Sequence, residues 1–350
     1  MRANNQLITK VQNRNTVLKQ IVRSGATSRV ALSRYTGLTK MTITNIVNEL
    51  LTDNLICEKD VFANSDVGRN PTLLAPKQDN HIIGLYISRD FMECFAGDIS
   101  GKIYSNIKKQ LSTGTVDTIL NIISDLIDEI IKLYPSSLGI GISCIGPVNS
   151  KDGIILNPSN FFGIKNLEIK KILEEKYNLP VFVDDDMKTS ALAEKYWGDF
   201  SEKVSDYAYV GAARGIGAGI VTDGKLNDCI CEIAHISIDV NGKKCFCGNR
   251  GCLERYTTIP HNFDGSSSDE ICKFLSYGII TIMNMFNPQV IFLGHRIPLL
   301  GEDAPEKIKN YVKDKYLSRP YNDVEIRFSK FGSESMKYGA IANFIENYEF

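Results

Sequence analysis

No apolar run in the sequence approaches the ~18 residues that a membrane-crossing helix needs, which excludes a helical integral membrane protein. A secretory leader is also missing, since Asn, Gln, Arg and Lys recur at short intervals through the first 25 residues. The expected compartment is the cytoplasm, where thiols stay reduced. Charge of one sign is not in excess: 40 Lys and Arg face 41 Asp and Glu, a formal net charge of −1. That balance excludes a chain that is polycationic throughout, yet it hides an asymmetry. Residues 1–80 carry 11 Lys and Arg against 6 Asp and Glu, a net of +5, which leaves 81–350 at −6. A basic head on an acidic body points to a head that alone meets a polyanion. At 350 residues, 43% hydrophobic and 23% charged, the chain has the make-up of a soluble protein of two or three domains.

What the sequence does hold in unusual measure is clustered cysteine. Five of its nine Cys fall between Cys229 and Cys252. In a reducing compartment such clustering reads as metal before disulfide. His235, Cys245, Cys247 and Cys252 read H-x9-C-x-C-x4-C, with Gly248 and Gly251 tightening the loop between the last two thiols. One imidazole and three thiolates suit a closed tetrahedral Zn2+ site, structural because no coordination position stays open. One such ion per chain is expected. Cys229 and Cys231 lie nearby and compete for it.

The first eighty residues carry three helical patterns. Ile8, Val11, Val17, Leu18, Ile21 and Val22 recur at helical spacing until Gly25. Ser28 caps a short helix from Arg29 to Tyr35, Gly37 makes a turn, and Thr39 caps a third helix with Ile43, Ile46, Val47 and Leu50 on one face. Met41, Thr42, Thr44, Asn45 and Asn48 point away from that face, on a free side that starts with Lys40. Two short helices around a Gly turn, the second polar on its free side, describe a helix-turn-helix suited to base-edge and phosphate contacts. Strand-like residues after Leu55-Ile56 and at Thr72-Leu73-Leu74 flank Val61 to Pro71, a β-hairpin wing whose Arg69 is placed to enter a minor groove.

From about residue 80 the texture is α/β. Strands are expected at His81–Ile87, Phe91–Asp98, Lys102–Ile107, Leu138–Cys144, Val181–Asp184, Ala208–Ala212, Gly217–Val221 and Val290–Gly294. Helices are expected at Val116–Leu133, Leu167–Tyr177, Met187–Trp197, Ser267–Met285 and Glu302–Leu317, before a final strand and helix.

These residues resemble the ROK family (repressors, open reading frames and kinases), in its repressor branch and over nearly the whole chain. Ser28-Arg29 through Leu50 looks like the family's helix-turn-helix, and Gly68-Arg69-Asn70-Pro71 like its wing end. Cys245-Phe-Cys-Gly-Asn-Arg-Gly-Cys-Leu-Glu254 looks like its signature, which binds zinc together with a histidine matching His235. The resemblance implies a winged helix-turn-helix over residues 1–75. It joins an actin-like, sugar-kinase-like (ribonuclease H-like) two-lobed α/β domain over residues 80–350. It places sugar hydroxyls against Asn160, Asp185, Asp186, Glu232, His235 and Glu254, where carboxylates accept charge-assisted hydrogen bonds. DNA contacts fall to Ser28, Arg29, Thr39, Lys40, Met41, Thr42, Thr44, Asn45 and Arg69. The implied partners are double-stranded operator DNA, a sugar or sugar phosphate effector and further copies of the chain, as a homodimer or homotetramer.

An enzymatic alternative is a carbohydrate kinase with an added DNA-binding head, with Asp186 in the general-base position. Kinases of the family read Asp-x-Gly-Gly-Thr at the first phosphate loop, where this chain reads Tyr86-Ile87-Ser88-Arg89-Asp90. Their consecutive glycines near the adenosine are here Leu293-Gly294-His295-Arg296, and Ala212-Ala213-Arg214 precedes the partly kept Gly215-Ile216-Gly217-Ala218-Gly219. The expectation is sugar binding kept, ATP binding lost and no catalysis. Asp185 where the family has Asn, Ala234 where it has Gly, and a 225–232 loop about four residues short are expected to alter which sugar fits.

Overall fold

The computed structural model describes residues 2–59, 72–111, 114–159, 161–199, 203–260, 262–317 and 323–350. In chain order the elements are α1 (Arg2–Ser24), α2 (Arg29–Thr36), α3 (Lys40–Thr52), β1 (Ile56–Lys59), β2 (Leu73–Pro76), β3 (His81–Ile87), β4 (Phe91–Asp98), β5 (Ile103–Gln110), α4 (Val116–Leu133), β6 (Ile140–Cys144), β7 (Val148–Asn149) and β8 (Ile154–Ile155). Then follow α5 (Ile169–Tyr177), β9 (Val181–Asp185), α6 (Asp186–Trp197), β10 (Tyr207–Ala212), β11 (Ile216–Thr222), β12 (Lys225–Leu226), α7 (Ser268–Phe286), β13 (Val290–His295), α8 (Ala304–Val312), β14 (Glu325–Phe328) and α9 (Ser335–Asn347).

The chain divides into two compact units. The first holds Met1–Ile142, Ile169–Phe182 and Ile341–Phe350, and the second Ser143–Glu168 and Val183–Ala340. Each is built on a five-stranded sheet, ordered β5-β4-β3-β6-β9 in one case and β12-β11-β10-β13-β14 in the other. Counted along the chain, both run third, second, first, fourth, fifth. This repeated order is the expected pair of α/β halves.

In the first unit β3 and β4 are buried almost throughout, while the edge strand β5 alternates half-buried and exposed residues. The interior strands therefore read as continuous apolar runs and the edge carries lysines. α4 buries Ile119, Ile123, Leu126, Ile127 and Ile130, spaced on one helical stripe, and starts where Thr115 accepts from the Thr118 N–H. Ahead of this sheet, Val17, Leu18, Ile21, Leu32, Ile43, Val47 and Leu50 of the three helices are buried, as is Leu74 of β2. α1 is longer than its apolar pattern needs: Ile8, read as part of the stripe, is 49% exposed, and Leu7 beside it 62%.

In the second unit the faces of β10 separate. Ala208, Val210 and Ala212 join the core that holds Leu275 and Ile279 of α7 and Ile308 of α8. Tyr207 and Tyr209 pack with Met187 and Ala191 of α6 and Phe292 of β13. The helix expected over Glu302–Leu317 is shorter: α8 stops at Val312, and Asp314 takes a left-handed φ of 65°.

The glycines of β11 have a packing reason. A Cβ on Gly219 would stand 2.3 Å from the Met187 main-chain oxygen, and one on Gly217 would stand 2.6 Å from Met187 Cγ. Because the obstacle at Gly219 is helix backbone, the strand cannot yield by a rotamer change. Gly219→Ala is expected to destabilise by about 3 kcal/mol. A denaturant titration that finds less than ~0.5 kcal/mol would show that α6 moves freely on the sheet.

Candidate functional site

The head positions its polar residues through its caps. Ser28 accepts from the Ala31 N–H at 3.2 Å and Thr39 from the Thr42 N–H at 3.1 Å. Gly37, at φ 70°, closes α2 by donating to the Ser33 carbonyl. These signals are local in sequence, which is why α2 and α3 begin where the pattern put them. Thr27 pairs with Leu74 in both directions, and β1 pairs with β2 antiparallel from Ile56↔Pro76 to Lys59↔Leu73. That is the base of the wing. The rest of the expected wing, with Arg69 near its base, lies outside the described residues.

Lys40, Met41 and Asn45 stand exposed on α3, with Met41 71% accessible, and Thr42 and Thr44 are half-buried. Thr44 Oγ1 donates back to the Lys40 carbonyl at 2.8 Å, while Thr39 and Thr42 share a hydroxyl contact at 2.9 Å. Arg29 is engaged within the head, its Nη2 2.8 Å from Glu58 Oε1 on β1. An exposed pair of this kind is weak, about 0–1 kcal/mol, and a phosphate can displace the carboxylate. Ser28 and Thr39 thus serve the fold, and the open face of α3 belongs to Lys40, Met41 and Asn45.

In the second unit His235, Cys245, Cys247 and Cys252 come together, with one ligand atom from each lying within 4.8 Å of the others. The knuckle forms because the Cys245 N–H donates to the Asn249 carbonyl at 2.9 Å and Gly248 N–H to the Cys245 carbonyl at 3.2 Å. Gly251, at φ 67°, returns the chain so that Ser237 pairs with Cys252. Cys245 Sγ lies 3.7 Å from His235 Nδ1, and Cys247 Sγ lies 3.6 Å from Cys252 Sγ. Ligands around a tetrahedral ion with ~2.3 Å bonds to sulfur stand about 3.8 Å apart, so the four atoms fit a metal. Burial raises the Cys252 thiol to about 12, aided by its hydrogen bonds to Cys247 and Cys245, whereas the Asn249 N–H lowers Cys247. Three thiols this close release all their protons only to a cation. Cys229 and Cys231 are not among the four.

The knuckle also fixes two short turns. Glu232 precedes the turn Ile233–His235, and Glu254 sits within the turn Leu253–Arg255. Leu253 N–H donates to the Ile236 carbonyl at 3.0 Å, and Ile233 and Leu253 are buried in the same core. Glu232 is exposed; His235 and Glu254 are half-buried.

Asp185 and Asp186 stand where β9 passes into α6. Asp185 caps the helix: its Oδ1 accepts from the N–H groups of Met187 at 2.9 Å and Lys188 at 3.4 Å. Its Oδ2 lies 2.0 Å from where a Cβ on Gly146 would be, so only glycine admits it there. Asp186 opens α6 and is buried. Sequence reasoning missed four neighbours. Asp184 accepts from Ser150 Oγ at 2.5 Å and lies 3.7 Å from Lys188 Nζ, which also donates to the Asp228 carbonyl at 3.1 Å. Two further cues were the run of three acids and the (i, i+4) spacing of Lys188 to Asp184. Asn160 lies outside the described residues.

Burial, then the charge of Asp184, raises the Asp185 carboxyl to about 7. Burial likewise raises Asp184, against the pull of the Lys188 ammonium. A carboxyl whose folded pKa is raised binds protons more tightly folded than unfolded, so its contribution is full below ~4 and lost as pH rises through ~7. Asp185→Asn keeps the cap without the charge. It is expected to stabilise the chain above pH ~7 by at least ~1 kcal/mol and to flatten the fall in stability between pH ~4 and ~7. Thermal melts across that range check both.

The place read as a first phosphate loop is the tight β3–β4 turn, where Ser88 N–H donates to the Phe91 carbonyl at 2.9 Å and Arg89 and Asp90 form the tip. At the end of β13, Tyr209 Oη accepts from the His295 N–H at 3.1 Å and lies 2.0 Å from where a Cβ on Gly294 would stand. Among the described residues no helix is long and apolar enough to cross a membrane.

Comparison with known proteins agrees with this layout. The xylose repressor of Caldicellulosiruptor bescii is 27% identical to this chain over 98% of each. The xylose repressor of Bacillus subtilis is 26% identical over 98% of this chain and 97% of its own. The DNA-binding transcriptional repressor Mlc of Escherichia coli is 25% identical over 95% and 92%. Among solved structures, a ROK family transcriptional regulator homologous to the E. coli protein superposes with a TM-score of 0.81 at 24% identity, covering 97% of this chain and 96% of that one. A ROK family glucokinase from Streptomyces griseus, solved with glucose and AMPPNP, gives 0.64 at 20% identity, covering 75% of this chain and 98% of that one. The sequence profile of the ROK family matches residues 82–258, half of the chain, and the protein belongs to that family.

Proposed function

We propose that the protein is a sugar-responsive, DNA-binding transcriptional repressor. Residues 1–75 form the winged helix-turn-helix and residues 80–350 the effector domain. The observation that carries this reading is the open face of α3, whose Lys40, Met41 and Asn45 have no role in the head's own core. The long alignment to repressors supports it. Lys40 and Arg29 serve phosphates, and Asn45, Thr42 and Thr44 serve base edges. Two heads of a homodimer would meet two half-sites of one operator.

In the effector domain a structural Zn2+ would sit on His235 Nδ1 and the three thiolates. When bound it ties the turns carrying Glu232 and Glu254 to each other. Asp186, Glu232 and Glu254, with Asn160, accept or donate hydrogen bonds to sugar hydroxyls. The other nitrogen of His235 is left to join them. Asp185 supports the site by capping α6 under Asp186.

A non-enzymatic reading is favoured over a kinase. The β3–β4 turn offers Arg89 and Asp90 where phosphates need bare backbone. The β11 glycines are accounted for by Met187, and Tyr209 fills the space beside Gly294.

Fluorescence anisotropy on DNA from upstream of the protein's own coding region, with and without a panel of sugars and sugar phosphates, tests the proposal. Selective binding released by one sugar is the expected result. Absence of selective binding together with sugar-dependent ATP consumption would establish the kinase reading instead.

A further inference from the structure

Arg14 of α1 uses all three of its guanidinium nitrogens within the first unit. Nε donates to the main-chain oxygen of Phe350 at 2.9 Å. Nη2 donates to Asp53 Oδ2 at 2.5 Å, and Nη1 lies 3.6 Å from Glu49 Oε2. Glu49 belongs to α3 and Asp53 is its C-cap. The Arg14 side chain is only 14% exposed, against 60% for Lys10, which also reaches Glu49. One side chain therefore grips the end of the recognition helix and the segment that follows α9.

That segment and the last turn of α9 are each held once more along α1. Asn15 Oδ1 accepts from the Phe350 N–H at 3.0 Å, and Lys19 Nζ donates to the Glu346 carbonyl. The Phe350 ring meets Tyr348 edge-on, and Tyr348 stacks on Phe344 of α9. α9 itself starts in the second unit, where a Cβ on Gly339 would stand 2.6 Å from the Thr189 main-chain carbon of α6. α6 is the helix that opens with Asp186.

We infer that Arg14 is a positioning residue that ties α3 to α9, so that the state of the effector site sets how the recognition helix is held. The inference rests on the sugar-responsive reading above. Arginine suits the task because its planar fork donates in three fixed directions, which a lysine ammonium on a flexible stem does not reproduce. A residue that merely stabilised the head would change the head's stability and leave the response to sugar intact.

The test compares operator affinity of the full chain with and without the releasing sugar, in wild type, Arg14→Gln, Arg14→Lys and a variant lacking residues 348–350. Wild-type binding is expected to weaken ~5–150-fold on sugar addition, and Arg14→Gln to weaken less than about 2-fold. Arg14→Lys falls between them. A wild-type ratio in Arg14→Gln overturns the inference. If Arg14→Gln loses operator binding altogether, the shortened variant decides, because it keeps both ion pairs to α3; a wild-type ratio there overturns the inference equally. Amide exchange over Val47–Asp53, read without DNA or sugar, is independent of the repressor reading. Faster exchange in Arg14→Gln and in the shortened variant supports the tie, and unchanged exchange overturns it. A wild-type chain that no sugar releases overturns the sugar reading instead.

Discussion

Cys252→Ala is expected to abolish metal binding and to lower the melting temperature of the chain by roughly 10 °C. The reasoning starts from the knuckle. Cys252 is fully buried, pairs across the turn with Ser237, and lies 3.6 Å from Cys247 Sγ. Removing its sulfur leaves one imidazole and two thiolates for an ion that prefers four donors. Structural zinc contributes ~10–16 kcal/mol in small peptides, where it supplies almost all of the fold. Here the second unit has its own core, so a third of that is a fair share, and a few kcal/mol moves the melting temperature of a domain this size by about 10 °C. Metal analysis should find one ion per chain in wild type and none in the variant. The wild-type ion should also be lost as pH falls, since protons compete for the thiolates. Cys229→Ser is the control: Cys229 is exposed and outside the group of four, so its replacement should leave the metal in place. Full metal occupancy in Cys252→Ala, or its loss in Cys229→Ser, would show that the other pair of cysteines supplies the ligands.

Much of this was written locally in the sequence. Ser28, Gly37 and Thr39 set the limits of α2 and α3 by hydrogen bonds spanning three or four residues, so the pattern and the structure agree there. The cluster of His235 and three cysteines was legible because four such donors within eighteen residues have few other uses in a reducing compartment. What was not legible depended on contacts far apart in sequence. The glycines 217 and 219 looked like the remnant of a phosphate loop, yet they sit against Met187, some thirty residues earlier. Asp185 was read as a sugar ligand; that its Oδ1 caps the start of α6, and that Gly146 leaves room for Oδ2, became visible only in the fold. Asp184 and Lys188 went unnoticed because a run of acids and an (i, i+4) spacing also describe a solvated helix start, and the pair is buried only when the loop carrying Asp228 folds over it. Arg14 was one cation among several in a basic head. Its position against Phe350, 336 residues away, gives it a different meaning.

Asp186→Ala is expected to lower affinity for the releasing sugar roughly 10- to 150-fold, the ~1.5–3 kcal/mol of a hydrogen bond to a charged group. Operator affinity without sugar should stay at the wild-type value, because Asp186 is not part of the head and the cap of α6 is carried by Asp185. Asp186→Asn keeps the shape and one acceptor and should lose less. The charge around the site also bears on which sugar it takes. Asp184, Asp185, Asp228 and Glu232 lie near enough in space to shift one another or the Cys231 thiol between them. The cation among them, Lys188, is 5% exposed and already held by Asp184 and the Asp228 carbonyl. A phosphate on the sugar would bring up to two negative charges to this group. Each unit pair at ~6 Å costs about 3 kcal/mol at an effective dielectric constant of about 20. Neutral sugars should therefore bind at least 10-fold more tightly than their phosphates, since ~1.4 kcal/mol is already tenfold. Calorimetric titration with matched pairs of sugar and sugar phosphate measures the difference directly. Tighter binding of the phosphate would mean that Lys188 leaves Asp184 to meet it, and Lys188→Met would then remove that preference while leaving the neutral sugar bound.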